Sequence, residues 1–292
     1  MSLENKPEWL RVRAPTGEGF VRLRALTRAR EIRTVCDSSH CPNISDCWSR
    51  GHATFMILGE RCTRNCRFCA VGHGRPDVVD GGEIERIAAA VRDLGLRYVV
   101  ITSVTRDDLP DQGAGHFSAV VDAVRRHSPG TGIELLIPDM RACRDDIRTV
   151  AEAGPDVLGH NIETVERLQW VRDRRSSYGR SLDALRAIKE VSPGMITKSS
   201  LMLGLGETIG EVRMTLVDLR EAGVEAIAIG QYIKPRNCDL EVREYVRPEV
   251  FRSLGQEAKV MGFRHVASAP LMRSSFNAHT LFDSGNEDHV DR

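Results

Sequence analysis

Six of the eight cysteines in this 292-residue chain lie between Cys36 and Cys69, in two groups of three. Cys62, Cys66 and Cys69 have the spacing C-x3-C-x2-C; Cys36, Cys41 and Cys47 have C-x4-C-x5-C. Three thiolates from one short loop suit a soft iron–sulfur cluster. Three ligands for four irons leave one iron without a protein ligand, the counterpart of the vacant position on a catalytic zinc. A molecule carrying an amine and a carboxylate can chelate there. The earlier group has two readings. His40 and His52 stand close enough in sequence for a Cys3His zinc site; beside the later group, a second cluster is the better reading. Disulfides explain such clustering poorly in a reducing compartment. Cys143, in a helical pattern, and Cys238, in a loop, read as ordinary residues.

The rest of the composition narrows the class. Charge is balanced, with 41 basic and 41 acidic residues, so no overall field points to nucleic acid. No apolar run approaches the roughly 20 residues that span a bilayer. Glu4 and Glu8 sit where a secretory signal would be basic and apolar. These features predict a soluble cytoplasmic protein with no membrane partner. A chain of this length buries roughly three quarters of its unfolded surface, enough for one α/β barrel or two small domains.

From Thr54 onward short β-branched runs alternate with amphipathic helical patterns, the mark of βαβ units. Strands are predicted near Thr54–Leu58, Tyr98–Ser103, Ile133–Ile137, Asp156–Leu158, Ile196–Leu201, Ala226–Ile229 and His265–Ala267. Ile84, Ile87, Ala88, Val91 and Leu94 make one helical stripe. Ile209, Val212, Leu216 and Leu219 make another, ended by Gly223. The predicted fold is a partial (β/α) TIM-like barrel of about six to seven parallel strands, with an open doubly wound sheet as the alternative. Residues 1–53 form an N-terminal extension, 54–270 the barrel, and 271–292 a segment over its mouth. A barrel places chemistry where strands end. Arg61 and Cys62, then Thr102, Ser103, Arg106, Asp107 and Asp108, then His160, Asn161 and Glu163, then Gln231 and Tyr232 occupy such positions. Gly204-Leu-Gly206 invites a dinucleotide reading, but Ile209 stands where G-x-G-x-x-G needs its third glycine, so that reading fails.

The C-x3-C-x2-C loop after a first barrel strand resembles the radical S-adenosylmethionine superfamily. Further motifs resemble the lipoyl synthases within it: Thr34-Val-Cys36 through Cys-Pro-Asn-Ile to Cys47-Trp; Val-Val-Ile-Thr-Ser-Val-Thr-Arg-Asp-Asp-Leu-Pro (99–110); Glu-Leu-Leu-Ile-Pro-Asp (134–139); His-Asn-Ile-Glu-Thr-Val (160–165); Thr-Lys-Ser (197–199); Gly-Leu-Gly-Glu-Thr (204–208); and Arg273-Ser-Ser-Phe276. The resemblance spans roughly residues 5 to 280 in order. It implies a 4Fe-4S cluster on Cys62, Cys66 and Cys69, and an auxiliary one on Cys36, Cys41 and Cys47 with Ser275 as fourth ligand, Ser274 being the other candidate. A serine alkoxide is a hard ligand on a soft cluster, hence displaceable. Thr102, Asn161, Glu163 and Lys198 are the candidate contacts to S-adenosylmethionine. The sequence departs from the family at Phe276, usually tyrosine; at Gln112, usually glycine; at Gly179, where a second basic residue is common; and at Cys238-Asp239-Leu240-Glu241, usually containing His-Leu-Pro. None is a presumed cluster ligand.

The implied reaction is radical sulfur insertion at C6 and C8 of a protein-bound octanoyl-lysine. Methylene C–H bonds are too strong for acid–base chemistry, so the cofactor supplies a radical and the auxiliary cluster the sulfur. No side chain is assigned a catalytic role. The implied partners are octanoylated lipoyl-carrier domains or H protein, an electron donor such as flavodoxin or ferredoxin, and an iron–sulfur carrier that rebuilds the consumed cluster; a monomer is the default. Seven arginines between Arg11 and Arg33 suggest a docking face for an acidic carrier, or a solvated helix face. Two other readings compete: a biotin-synthase-like enzyme acting on a free small molecule, against which the cysteines before Cys62 argue, and a two-cluster electron carrier or delivery scaffold, which has no need of an open iron.

Overall fold

The computed structural model describes residues 6–12, 17–39, 41–50, 52–235 and 238–276. Eight strands form one sheet in strictly sequential order. They are β1 (Arg33–Thr34), β2 (Thr54–Ile57), β3 (Tyr98–Ser103), β4 (Gly132–Leu136), β5 (Val157–Gly159), β6 (Ile196–Leu203), β7 (Ala226–Gln231) and β8 (His265–Ser268). Pairings from β2 to β8 are all parallel, and β1 adds antiparallel to the edge of β2. A doubly wound sheet reverses its strand order at a switch point; this one never does, so it curls around one interior. Among the described residues β8 pairs only with β7, and the barrel stays open.

The helices are α1 (Glu18–Ala29), α2 (Val35–Ser38), α3 (Ile44–Ser49), α4 (Glu83–Leu94), α5 (Ala114–His127), α6 (Arg144–Glu152), α7 (Tyr178–Val191), α8 (Ile209–Glu221) and α9 (Pro248–Val260). All seven predicted strands are present. β1 was not anticipated, because a two-residue strand has too little periodicity to show in sequence. In the α4 stripe Ile87, Ala88 and Val91 are fully buried. In α8 Val212, Leu216 and Leu219 are buried, but Ile209 is exposed. It opens the helix beside the Thr208–Glu211 capping box and does not join the stripe. Gly223, at φ +85°, supplies the left-handed turn that ends α8.

Register divides the strand residues between two faces. Phe55, Ile101, Leu135 and Leu158 are cross-strand partners and belong to the main core with helix residues such as Val91 and Phe117. The alternate positions face the lumen. Thr54, Val100, Glu134, Val157 and Ile196 form one level of it; Met56, Thr102, Leu136, Gly159, Lys198 and Ala226 form the next, nearer the C-terminal strand ends. Tyr98 and Val100 accordingly form a small cluster separate from the main core.

The N-terminal segment packs on the same core. Phe20 of α1 stacks on Trp48 of α3, with centroids 5.1 Å apart. Part of the arginine-rich stretch makes surface pairs: Arg22 donates to the Asp93 carbonyl, Arg30 pairs with the Asp93 carboxylate, and Arg33 with Glu60. Arg13 lies outside the described residues.

Candidate functional sites: two cysteine-lined cavities in one barrel

Beyond β2 the chain turns through Leu58 and Gly59, both at positive φ, into the loop that carries Cys62, Cys66 and Cys69. Backbone N–H groups aim at its sulfurs. Arg64 and Thr105 donate to Cys62 Sγ at 3.4 and 3.3 Å, and Asp173 donates to Cys66 Sγ at 3.3 Å. Such donors favour the thiolate. Burial works the other way, pushing Cys66 to about 11 and Cys69 to about 12. Thiols of this kind release their protons on metal binding.

The loop is held by Arg64, which is 5% exposed. Its guanidinium donates to Asp107 (3.1 and 2.9 Å), Asp139 (2.6 and 2.8 Å) and Ser176 (3.1 Å), which uses all its N–H groups. Burial alone would raise the Asp139 carboxyl, but the Arg64 hydrogen bonds and the neighbouring positive charges hold it at about 2. Asp173 accepts the Asn65 N–H at 2.9 Å, and Arg175 bridges Asp173, Asp107 and the Thr63 carbonyl. Loops following β3, β4 and β5 thus clamp the cysteine loop.

Above it lies an open cavity lined by the three cysteines, Met56 and Thr102 of the lumen, and Asn161, Glu163 and Arg172. Glu163, at φ +68°, is raised by burial, against the pull of Arg172 and the Asn161 amide. Burial lowers Arg172, while Glu163 and Cys66 oppose that shift. This buried guanidinium donates to Gln169 and Ser181 at 3.0 and 2.8 Å. His160, whose ring nitrogens meet the Ile137 carbonyl and Ser181 at 2.9 Å each, is lowered to about 4 by burial and by Arg172. The Thr102 hydroxyl donates to the Leu136 carbonyl at 2.7 Å.

Lys198 departs from expectation. Its Nζ donates to both Glu134 carboxylate oxygens at 2.9 Å, and Tyr98 donates to the same carboxylate at 2.7 Å. It does not line the cavity of the later triad. Its backbone stands at the level of Met56 and Thr102, but the side chain reaches back to Glu134, one level deeper.

A second, smaller cavity is lined by Cys36, Cys41 and Cys47 together with His52, Arg273 and Ser275, and by Thr54, Tyr98 and Val100 of the lumen. Cys36 sits on α2, capped by Thr34, and Cys47 on α3. Hydrogen bonds from Cys41 N to the Cys36 carbonyl and from Cys47 N to the Asn43 carbonyl fold the segment back on itself. Burial and the Cys41 charge push Cys36 to about 11; burial and the Cys36 and Cys41 charges raise Cys47 further. Arg273, itself lowered by burial, faces Cys41. The C-terminal segment reaches this cavity because the Asn43 side chain donates to the Leu271 carbonyl at 2.6 Å. Gly230 on β7 also leaves room for Met272, whose carbonyl would lie 2.1 Å from any added Cβ. Ser275 faces the cysteines, whereas Ser274 donates to Asn161 at 3.1 Å and so joins the two cavities.

The donor sets fit iron–sulfur clusters. Each cavity gathers three free thiols, and the second adds a hydroxyl. Among the described residues no three His, Cys, Asp or Glu side chains converge as a single ion requires. His40 lies outside the described residues. Cys143 is exposed at the start of α6, and Cys238 is buried in the loop after β7. The sequence reading missed Arg64, Asp139, Arg172 and Asp173. Asp139 carried one signal, its place directly after a strand; Arg172 carried none, since it follows a 3-10 turn (Glu166–Val171) far from any strand end.

Comparisons with known proteins agree with this geometry. A family model described as the radical SAM superfamily matches residues 56–219. A lipoyl synthase from Myxococcus xanthus is 48% identical over 281 residues, covering 96% of this chain and 94% of that protein. One from Pyrobaculum arsenaticum is 51% identical over 281 residues, covering 95% of each. Among solved structures, the FeFe-hydrogenase maturase HydG from Carboxydothermus hydrogenoformans has a TM-score of 0.56 at 13% identity, covering 93% of this chain and 72% of that one. At that identity the likeness concerns the fold.

Proposed function

Because the chain belongs to the lipoyl synthase family of the radical SAM superfamily, we propose that its two cavities act on one octanoyl chain. The reaction is sulfur insertion at C6 and C8 of a protein-bound octanoyl-lysine, with two 4Fe-4S clusters and S-adenosylmethionine as cofactors. When bound, these groups supply the 5′-deoxyadenosyl radical and the inserted sulfur.

The residues have separable tasks. Cys62, Cys66 and Cys69 hold the cluster that binds S-adenosylmethionine, and the Arg64 clamp fixes their loop. Glu163, Asn161 and Arg172 face the space beside that cluster. There a buried carboxylate and a buried guanidinium match the amine and carboxylate of an amino acid moiety. Thr102 and Met56 line the same space. Cys36, Cys41, Cys47 and Ser275 hold the sulfur-donating cluster, and Arg273 offsets the negative charge of its thiolates. The apolar walls exclude water and hold the acyl chain within reach of both cavities.

One observation carries this reading. The cavities are neighbours along a single barrel interior: Met56 and Thr102 line one, and Thr54 and Val100, one lumen level deeper on the same strands, line the other. A radical made in the first is then within reach of sulfur held in the second. The substrate is an octanoylated carrier domain or H protein, whose octanoyl group stays on its lysine throughout; a flavodoxin or ferredoxin supplies electrons, and an iron–sulfur carrier rebuilds the spent cluster. The protein works as a monomer in the cytoplasm, where its thiols stay reduced. Among the described residues no helix is long and apolar enough to cross a membrane.

The test is anaerobic turnover of the reconstituted protein with S-adenosylmethionine, dithionite and an octanoyl-lysine peptide, read by mass spectrometry. Gain of two sulfurs, with about two deoxyadenosines per product, is the expected result. Deoxyadenosine without sulfur gain would refute the assigned substrate and leave the radical chemistry standing.

A further inference from the structure

Lys198, Glu134 and Tyr98 form a hydrogen-bonded group inside the barrel, with 6%, 1% and 5% exposure. Nothing in the assignment of the two cavities uses it. Glu134 stands at the lumen level of Thr54 and Val100, and Lys198 at the level of Met56 and Thr102, reaching back to Glu134. Tyr98 also lines the cavity of Cys36, Cys41 and Cys47, so the group backs directly onto that wall.

We propose that the Tyr98–Glu134–Lys198 group is the chain-length stop of the acyl site, setting where the methyl end of the substrate halts. The inference rests on the functional reading above. A methyl end that serves both cavities must lie at their junction, over Thr102 and Val100. Beside that junction, at the same two levels on β4 and β6, the lumen holds a buried ion pair in place of apolar side chains. Carbons beyond C8 have to lie against, or push apart, a buried carboxylate and ammonium that are solvated by each other and by the Tyr98 hydroxyl. A shorter chain leaves the apolar walls of the junction unfilled. Octanoyl is then the longest acyl group whose end meets only Val100, Thr102 and Met56. The same group explains why Lys198 is absent from the S-adenosylmethionine cavity: its charge is spent on Glu134.

The test measures binding of hexanoyl-, octanoyl-, decanoyl- and dodecanoyl-lysine peptides to the cluster-loaded protein by calorimetry, without reductant so that no turnover occurs. Sulfur insertion into each peptide is then followed separately. Two variants are compared with the parent: Glu134→Gln combined with Lys198→Met, which removes both charges at similar volume, and the milder Tyr98→Phe. The parent should bind octanoyl at least about tenfold tighter than decanoyl, the scale on which methylenes are discriminated. In the double variant that ratio should fall to about threefold or less, with octanoyl affinity nearly kept; Tyr98→Phe should shift it in the same direction. A purely structural role lowers binding of every chain length alike and leaves the ratio unchanged. Octanoyl turnover by the parent with an unchanged ratio in both variants overturns this proposal alone. A parent that binds none of the peptides overturns the functional reading and the proposal with it.

Discussion

Arg64 and Asp139 meet through paired hydrogen bonds of 2.6 and 2.8 Å, joining the loop between Cys62 and Cys66 to the segment that leaves β4. Asp139 is fully buried, so removing its partner leaves a carboxylate with neither water nor a cation. Arg64→Ala should therefore cost about 3–5 kcal/mol, the usual penalty for breaking a buried pair. Arg64→Lys keeps the charge but not the planar fork that spans Asp107 and Asp139 together. It should fold, yet lose iron from the Cys62–Cys66–Cys69 site. Denaturant midpoints and iron analysis check the two outcomes separately; a fully loaded Arg64→Lys protein would show that the clamp is dispensable.

Stability should also depend on pH through His160. Burial and the Arg172 charge take its pKa from an ordinary 6.5 down to about 4. Between those values the unfolded chain binds a proton that the folded chain refuses. Stability from this group is thus complete above pH 6.5, falls as pH drops toward 4, and then levels off. The shift corresponds to a loss on the order of 3 kcal/mol at about 1.4 kcal/mol per pKa unit. Denaturant unfolding of the cluster-free chain across this range, with His160→Gln as the control, should show a slope that the variant flattens.

Ser275 and Ser274 should separate cleanly. Ser275 faces Cys36, Cys41 and Cys47, while Ser274 is engaged with Asn161. A fourth thiolate binds iron more firmly than an alkoxide. Ser275→Cys should keep both clusters and deoxyadenosine formation, yet lower sulfur insertion about tenfold or more, a loss of about 1.4 kcal/mol in barrier terms. Ser274→Ala should lower it by less than about threefold. Equal effects at the two positions would contradict the assignment of Ser275 as ligand.

Gly179 departs from the family pattern in a helix. It occupies the second position of α7, and a Cβ there would meet nothing within 4 Å. Gly179→Ala should stabilise the chain by roughly 0.5–1 kcal/mol through reduced freedom of the unfolded backbone. Thermal unfolding measures this directly; no gain would mean the helix start is frayed.

The sequence made the strands legible because each is a compact β-branched run between helical stripes, and the cysteines legible because their spacing is chemical. Gln112 shows how a departure from the family becomes intelligible only in three dimensions. It sits at φ +52°, where glycine costs least, and its side chain donates to Asp146 at 3.0 Å. Lys198 shows the opposite failure. Strand position alone cannot tell whether a lumen side chain turns toward the open end or back toward the deeper level; only the reach of Lys198 to Glu134 does. Arg64 and Asp139 were hidden for a related reason, since their partners lie tens of residues away and no local pattern links them.

The C-terminal segment that Asn43 anchors through Leu271 sets an order of events during synthesis. Every group that clamps the Cys62–Cys69 loop has been made by Ser176, whereas the Cys36–Cys47 cavity lacks Arg273 and Ser275 until the last barrel strand has been translated. In chain order, the surroundings of the later cysteines are therefore complete before those of the earlier ones. The first three thiols wait longest for the residues that finally enclose them.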